Sequence, residues 1–464
     1  MMLEHLEHLE RRLFIFGDFE GPLNQHKYNF FFQGNHFSEH YNKLYVLSSK
    51  GNDLDVKGAD FISYPGWLSQ VKFRLDLFVS GFFYWMLLLF KDPLFFKELV
   101  LLELSAYPHY NDRKWTTRML KRIPFFAQLI TSLSYSNKVL KSLGITTHDT
   151  VILWTEHMTG RRLAKRHAQQ VGATLLLSEY GELPGTCFVC SEGMFHQSWP
   201  AIYRNIFVSL PVSENDIRQT SALADALIQN RASNKSGLYS SSIASEVILP
   251  GAGEPILYIN GAQPQASGLM PDCSRFSREF SPYFRSNKEV VHYFDDLANK
   301  YKLRILYKDH PNTHRSFPHS VLSGNDFSER VQVLKDVDIY DALPRCDLTV
   351  SLGSKSVFIS LLLGIPVLLL GPYSIHPNDL EAGCYEFSGE DSVVSALQLA
   401  AASRVDDAGF REFLTRMAKY FYYNMSSESD CLFARDSMRF WYDLNEFVSG
   451  RRSFITTNLL LDNK

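Results

Sequence analysis

Short apolar runs, each closed by a glycine, serine or acidic residue, recur through most of the chain, with polar amphipathic stretches between them. RLFIFG (12–17) reads as an opening strand that runs into DFEGP, and KLYVLS (43–48) and DFISY (60–64) read as two more. Next, TVILW (150–154) is followed by the turn TEHMTG, a helix-like RRLAKRHAQQVG (161–172) and a strand ATLLLS (173–178). Strand, helix and strand at this spacing predict a parallel crossover. The pattern restarts with EPILYING (254–261), a helix around 287–302 and the strand RILYKD (304–309). DIYDALPRCD (338–347) reads as a short helix, LTVSLGS (348–354) as a strand, KSVFISLLLG (355–364) as a helix and PVLLLG (366–371) as a strand. Repeated alternation of this kind predicts α/β architecture with doubly wound sheets.

Two regions break the rhythm. Residues 70–140 are aromatic and read as helical, and inside them LFVSGFFYWMLLLF (77–90) runs 14 residues without a charge. Spanning a bilayer as a helix takes about 20 residues, so this stretch is read first as a buried core helix. The alternative is an interfacial patch flanked by Lys72, Arg74, Lys91 and Lys97. From about Ser213 to Glu254 the composition shifts to Ser, Asn, Ala and Gln, which suggests a connecting helix and linker. The expected division is therefore an N-terminal Rossmann-like domain (1–215) with the aromatic helical insertion, a linker (216–253), a second Rossmann-like domain (254–390) and closing helices (391–464). The two domains are expected to face a central cleft.

Bulk composition narrows the function classes. At ~100–200 residues per domain, 464 residues suit two or three domains, and 45% hydrophobic with 21% charged residues excludes global disorder. A net charge of −3 gives no basic footprint for a nucleic-acid partner. The six cysteines are scattered; Cys187 and Cys190 form a lone CxxC in the strand-like GTCFVC, without a second pair at zinc spacing. They read as thiols of a reducing cytoplasm. The charged, helix-periodic opening MMLEHLEHLERRL is unlike a secretory signal, so the expected location is cytoplasmic.

In open α/β sheets, ligands bind beyond the carboxyl ends of the strands, and four polar segments follow predicted strands. Glu179, with Gly181, Glu182 and Pro184, places a carboxylate at a strand tip, suited to general acid or base work or to an ordinary turn. After ILYIN come Gln263 and then Asp272, the latter a candidate nucleophile, base or helix N-cap. Lys308, His310, Pro311 and Asn312 follow RILYK, and the imidazole can donate to a phosphate oxygen. Ser351, Ser354, Lys355 and Ser356 precede the helix VFISLLLG, where free N–H groups and hydroxyls can meet an anion or cap the helix. Neither GxxxxGK[ST] nor a GxGxxG after a strand is present, which argues against an ATPase loop and a dinucleotide oxidoreductase. Asp53-Leu54-Asp55 has the form of a metal-binding DxD but sits in the hydrophilic stretch GNDLDV, and is read as a turn.

Taken in order, E-x-G-x-x-P, a glutamine loop with an acidic residue, K-x-H-P, D-I-Y-x-x-L-P, a strand and S-x-x-S resemble one family across about residues 147–380. It is the bacterial capsule-polysaccharide transferases that add Kdo (3-deoxy-octulosonic acid) from CMP-Kdo, with relatives that use other CMP-activated nonulosonic sugars. The resemblance implies a GT-B-like, metal-independent enzyme without a cofactor, whose carboxyl half binds CMP-sugar as donor. His310 and Ser354 with Ser356 would hold the donor phosphate, with Lys308, Gln263, Asn312 and Lys355 beside them. His310 would thereby take part in catalysis. Glu179 would be the acid or base near the acceptor hydroxyl, and Asp272 the nearest match to the aspartate that forms a covalent sugar adduct in retaining members. Here Asp272 lies nine residues after Gln263, whereas the family's acidic residue usually follows its glutamine closely. Arg161, Arg162 and Arg275 are candidates for the sugar carboxylate. The expected partners are a glycan or lipid-linked acceptor and, on the interfacial reading of residues 77–90, peripheral contact with the inner membrane. Two other readings stay open: a GT-B enzyme using a UDP- or GDP-sugar, and a non-catalytic assembly protein at the membrane surface.

Overall fold

The computed structural model describes residues 11–17, 22–48, 56–65, 71–105, 115–155, 159–183, 185–194, 198–230, 253–261, 283–284, 287–308, 327–334, 337, 339–351, 356–371, 383–402, 407–425 and 437–450. In chain order the elements begin with β1 (Arg12–Phe16), α1 (Pro22–Phe32), β2 (Lys43–Ser48), β3 (Ala59–Ser63), α2 (Leu75–Lys91), α3 (Pro93–Ser105) and α4 (Trp115–Leu143). Then come β4 (Thr150–Trp154), α5 (Thr159–Val171), β5 (Thr174–Tyr180), β6 (Thr186–Cys190), α6 (Trp199–Ile202), α7 (Arg204–Ser209) and α8 (Glu214–Asn230). The second half holds β7 (Ile256–Asn260), α9 (Asn287–Tyr301), β8 (Arg304–Lys308), β9 (Val331–Leu334), α10 (Ile339–Ala342), β10 (Leu348–Ser351), α11 (Ser356–Leu362) and β11 (Val367–Leu369). It closes with β12 (Cys384–Glu386), α12 (Glu390–Ala402), α13 (Asp407–Tyr420), β13 (Tyr422–Asn424) and α14 (Ser437–Val448).

These elements form two compact units, Met1–Trp199 with Ala418–Lys464, and Pro200–Met417. The expected 391–464 segment is thus divided. Helix α12 and α13 as far as Met417 belong to the second unit, whereas β13 returns to the first and pairs antiparallel with β6, Tyr422 opposite Phe188. That pairing draws α14 onto the first sheet, where Phe440, Trp441 and Leu444 join Phe30 and Phe31 of α1 in one core.

The first unit has seven strands in the order β13-β6-β5-β4-β1-β2-β3, parallel from β5 to β3. Leu13, Phe14, Ile15 and Phe16 of the central β1 are all essentially inaccessible, because helices cover both faces. A strand buried on both sides reads as an unbroken apolar run, and each such side chain contributes about 1.5–3 kcal/mol. Helix α5 packs Leu163, Ala164 and Ala168 against the face opposite α1 and α14. The amino ends of β1 and β4 are tied by Asp149, which is buried. Its carboxylate accepts from Arg12 Nε (3.0 Å) and Nη2 (2.7 Å) and from the Thr146 N–H (2.7 Å) and hydroxyl (3.0 Å).

The second unit has six strands, all parallel, ordered β12-β11-β10-β7-β8-β9. Alternation along β7 sends Leu257 and Ile259 into a core with α9 and α12, and Tyr258 into one with Ala342 of α10 and Leu343. Both units therefore have the Rossmann-like α/β form expected from the alternating pattern.

The aromatic region departs from expectation. It is broken into three helices, and the boundary between α2 and α3 is set by Asp92, whose Oδ1 accepts the Phe95 N–H (3.0 Å) ahead of Pro93 at the first helical position. Helix α2 is not a buried core helix. It buries Leu77, Gly81 and Leu88 while Val79, Phe82, Phe83, Leu87 and Phe90 stand exposed. Length and apolarity announce a helix but not how many neighbours surround it.

Candidate functional site

In the second sheet the strand order reverses between β7 and β10, the switch point at which such sheets open a crevice beyond their carboxyl ends. Register places the ends of four strands level. Asn260 pairs with Lys308 on one side and Ser351 on the other, and Ser351 pairs with Leu369. The Gly261 N–H donates to the Lys308 carbonyl (2.7 Å), and the Leu370 N–H donates to the Ser351 carbonyl (2.9 Å). The four strands therefore end level, at Asn260, Lys308, Ser351 and Leu369, along one side of the sheet. Gln263 and Asp272, His310 and Asn312, and Ser354 and Lys355 follow three of these strand ends in sequence, and all six lie outside the described residues.

Two of the expected donor-side residues are described. Lys308 is the last residue of β8, and its Nζ donates to the Val337 carbonyl (2.5 Å) ahead of α10. This bond fixes the ammonium beside the segment that leads into α10. Ser356 is buried and is the first residue of the seven-residue α11. Its carbonyl accepts the Ser360 hydroxyl (2.9 Å), which also bonds Thr349 Oγ1 of β10 (2.9 Å). This hydroxyl chain ties the start of α11 to the neighbouring strand.

In the first unit the switch point falls between β1 and β4. Thr155, the residue after β4, has φ of +60°, a conformation that β-branched residues rarely adopt and that costs about 1–3 kcal/mol. It is held by its N–H to the Ser178 carbonyl (2.8 Å) and by Arg161 Nη1, which donates to Thr155 Oγ1 (2.8 Å) and to the Trp154 carbonyl (2.6 Å). Arg161 thus serves the turn, and Arg162 pairs with Glu98 (2.8 Å); Arg275 lies outside the described residues.

Glu179 is not at the tip after a strand but inside β5, opposite Phe188 of β6, and is buried. The hairpin to β6 lengthens β5 by two residues beyond the apolar run. Its neighbour Tyr180 points to the α1 and α14 core, so Glu179 points to the other face. There stands Tyr422 of β13, fully buried, with the Glu182 N–H donating to its phenol oxygen (3.3 Å). Burial first, then the charges of Glu182 and Glu179, push the Tyr422 phenol well above its ordinary pKa. The glycine of E-x-G-x-x-P has a packing cause: a Cβ on Gly181 would lie 2.2 Å from Thr186 Oγ1. On the opposite face Lys27 of α1 is buried over the Trp154 ring (4.8 Å) and near that of Tyr180 (5.8 Å).

Thr155, Tyr422 and Lys27 escaped the sequence reading. Tyr422 comes from more than 200 residues downstream, and Lys27 lies in PLNQHKYNFFF, which has no apolar period. Cys187 and Cys190 are buried within β6 and are free thiols. Among the described residues no three His, Cys, Asp or Glu side chains gather as a metal site.

No family model matches the chain, and no curated protein matches its sequence. Solved structures similar to it include the KpsC beta Kdo 2,7 transferase of Thermosulfurimonas dismutans, at 14% identity and TM-score 0.39 over 74% of this chain and 98% of that one. The UDP-N-acetylglucosamine 2-epimerase of Rickettsia bellii matches at 13% identity and TM-score 0.35, over 88% and 95% of the two chains. A glycosyltransferase from Rickettsia africae matches at 10% identity and TM-score 0.34, over 95% and 99%. These likenesses carry no argument about the reaction, which rests on the residues of this chain.

Proposed function

We propose that the protein is a glycosyltransferase that moves a Kdo-type or other ulosonic acid from its CMP-activated form to a glycan or glycolipid acceptor. The observation that supports this most is the level register of Asn260, Lys308, Ser351 and Leu369 at the switch point of the second sheet. It sets level the ends of the three strands, β7, β8 and β10, that the motif-bearing segments follow in the chain, as a shared donor site requires.

In this reading His310, Ser354 and Ser356 meet the single phosphate of CMP, with Lys308, Gln263, Asn312 and Lys355 around it. The bond from the anomeric carbon to the phosphate oxygen breaks, CMP departs with the electron pair, and the acceptor oxygen bonds to the sugar. The centre passes through an oxocarbenium-like state that a nearby carboxylate stabilises. Glu179 takes the acceptor proton, and Asp272 is the candidate for a covalent adduct if the reaction retains configuration. The protein donors at the phosphate take the part that a metal plays elsewhere.

The test is release of CMP from CMP-Kdo and from a CMP-nonulosonate, with UDP- and GDP-sugars alongside, in the presence of glycan and glycolipid acceptors. Acceptor-dependent CMP release, reduced by orders of magnitude in His310→Ala and Glu179→Gln, is expected. Turnover of a UDP- or GDP-sugar without turnover of either CMP-sugar would refute the donor assignment.

A further inference from the structure

The outward face of α2 inverts the usual pattern of a surface helix. Its inner strip packs on α4, where Gly81 allows close approach: a Cβ there would stand 2.4 Å from the Ile130 carbonyl oxygen. Ser80 Oγ and Ser134 Oγ are hydrogen-bonded at 2.8 Å, and Gln128 Nε2 donates to the Val71 carbonyl (3.2 Å). With the inner strip so fixed, the opposite face should be polar. Instead Leu75, Val79, Phe82, Phe83, Leu87 and Phe90 are 42–77% exposed. At 100° per residue they fall within an arc of about 140°, along about 22 Å of helix. Phe73, Leu94 and Ile123 extend the exposed set.

We infer that this face seats the protein on an anionic lipid surface, the helix lying in the plane of the interface. An apolar face this wide marks an interaction site rather than scattered exposure. No described helix is long and apolar enough to cross a membrane, which leaves an in-plane arrangement for a lipid contact. The charges at its rim select the lipid. Lys72 and Arg74 precede the helix, and Lys91 and Lys97 follow the apolar stretch, all four exposed. Among the described side chains, Asp76 pairs with Arg74, Asp92 with Arg166 and Glu98 with Arg162, so Arg74 and Asp76 offset one another and Lys72 carries the charge at the amino end. Basic groups at both ends of an apolar face complement anionic headgroups. They disfavour a second copy, because an antiparallel pairing of two such helices would set Lys72 against Lys91. The inference concerns lipid alone and does not rest on the reaction proposed above.

The experiment is co-sedimentation of the full chain with vesicles of phosphatidylcholine alone and of phosphatidylcholine with phosphatidylglycerol, with light scattering of the same samples before vesicles are added. Binding to the phosphatidylglycerol vesicles, weakened by salt, is expected. Phe83→Glu with Phe90→Glu should lower affinity at least about tenfold, and Lys72→Glu with Lys91→Glu should remove the preference for anionic vesicles. Circular dichroism and thermal melting check that each variant folds, and both pairs alter exposed positions. Absence of binding by the unaltered chain overturns the inference, as does undiminished binding by a folded Phe83→Glu, Phe90→Glu variant. A dimer that this variant abolishes, without vesicle binding, overturns it in favour of a second copy.

Discussion

Replacing Gly181 by alanine should destabilise the first unit by about 2–4 kcal/mol, although the change adds one methyl group. The added Cβ would stand 2.2 Å from Thr186 Oγ1, 3.1 Å from Thr186 Cβ and 3.3 Å from Tyr422 Cε1. Thr186 is itself buried, and its hydroxyl donates to the Leu183 carbonyl (2.5 Å) across the turn. Rotating that hydroxyl away relieves the closest contact but forfeits a buried hydrogen bond, about 1 kcal/mol net. The Thr186 Cβ contact remains, and moving β6 to relieve it disturbs the antiparallel ladder to β13; overpacking of this kind costs about 1–3 kcal/mol. Guanidinium titration followed by near-ultraviolet circular dichroism reads the loss. The cause is separable by a double-mutant cycle: in a Thr186→Ala background, which has no Oγ1, Gly181→Ala should cost at least about 1 kcal/mol less. A Gly181→Ala variant within about 0.5 kcal/mol of the parent, or equal costs in the two backgrounds, would refute the packing cause of this glycine.

Asp149→Ala removes four contacts to a buried carboxylate while Arg12 keeps the Leu143 and Gly144 carbonyls, so a loss of about 2–3 kcal/mol is expected in the same titration. Arg304 first, then Arg330, hold the Glu254 carboxyl below its ordinary pKa. Its stabilisation should be complete above the unfolded value of about 4.3 and disappear as pH falls through the lower folded one. The melting-temperature gap between the parent and Glu254→Gln should accordingly be constant above about pH 5 and close towards pH 3. Burial pushes the Cys346 and Cys384 thiols up to about 12, and Cys187 and Cys190 are buried as well. At pH 8 a disulfide reagent should therefore label no more than Cys273 and Cys431 in the native protein, and all six cysteines in guanidinium.

The parts of the fold that were legible beforehand are those whose local pattern and tertiary surroundings agree. Strands such as TVILW and ILYIN are dominated by apolar residues because helices cover both faces of their sheets, and α5 shows its buried stripe openly. Legibility failed where position depends on a distant partner. Tyr422–Asn424 is only three residues between helices and becomes a strand through its pairing with β6. The same hairpin that aligns Glu179 with Phe188 places this carboxylate inside a strand rather than beyond it. On the donor side, Lys308 and Ser356 were visible as residues that follow or precede an apolar run. That Asn260 stands level between Lys308 and Ser351 is a fact of register, which no local pattern contains.

The donor assignment meets its most direct test in a thermal-melt titration of the unliganded protein with CMP, UDP and GDP at matched concentrations. A ligand at 100 times its Kd stabilises by about 2.7 kcal/mol, which raises the melting temperature of a unit of this size by several degrees. CMP should produce such a shift, UDP and GDP little or none, and His310→Ala should reduce the CMP response while leaving the unliganded melt in place. A shift with UDP or GDP but not with CMP, or no shift with any of the three, would contradict the account.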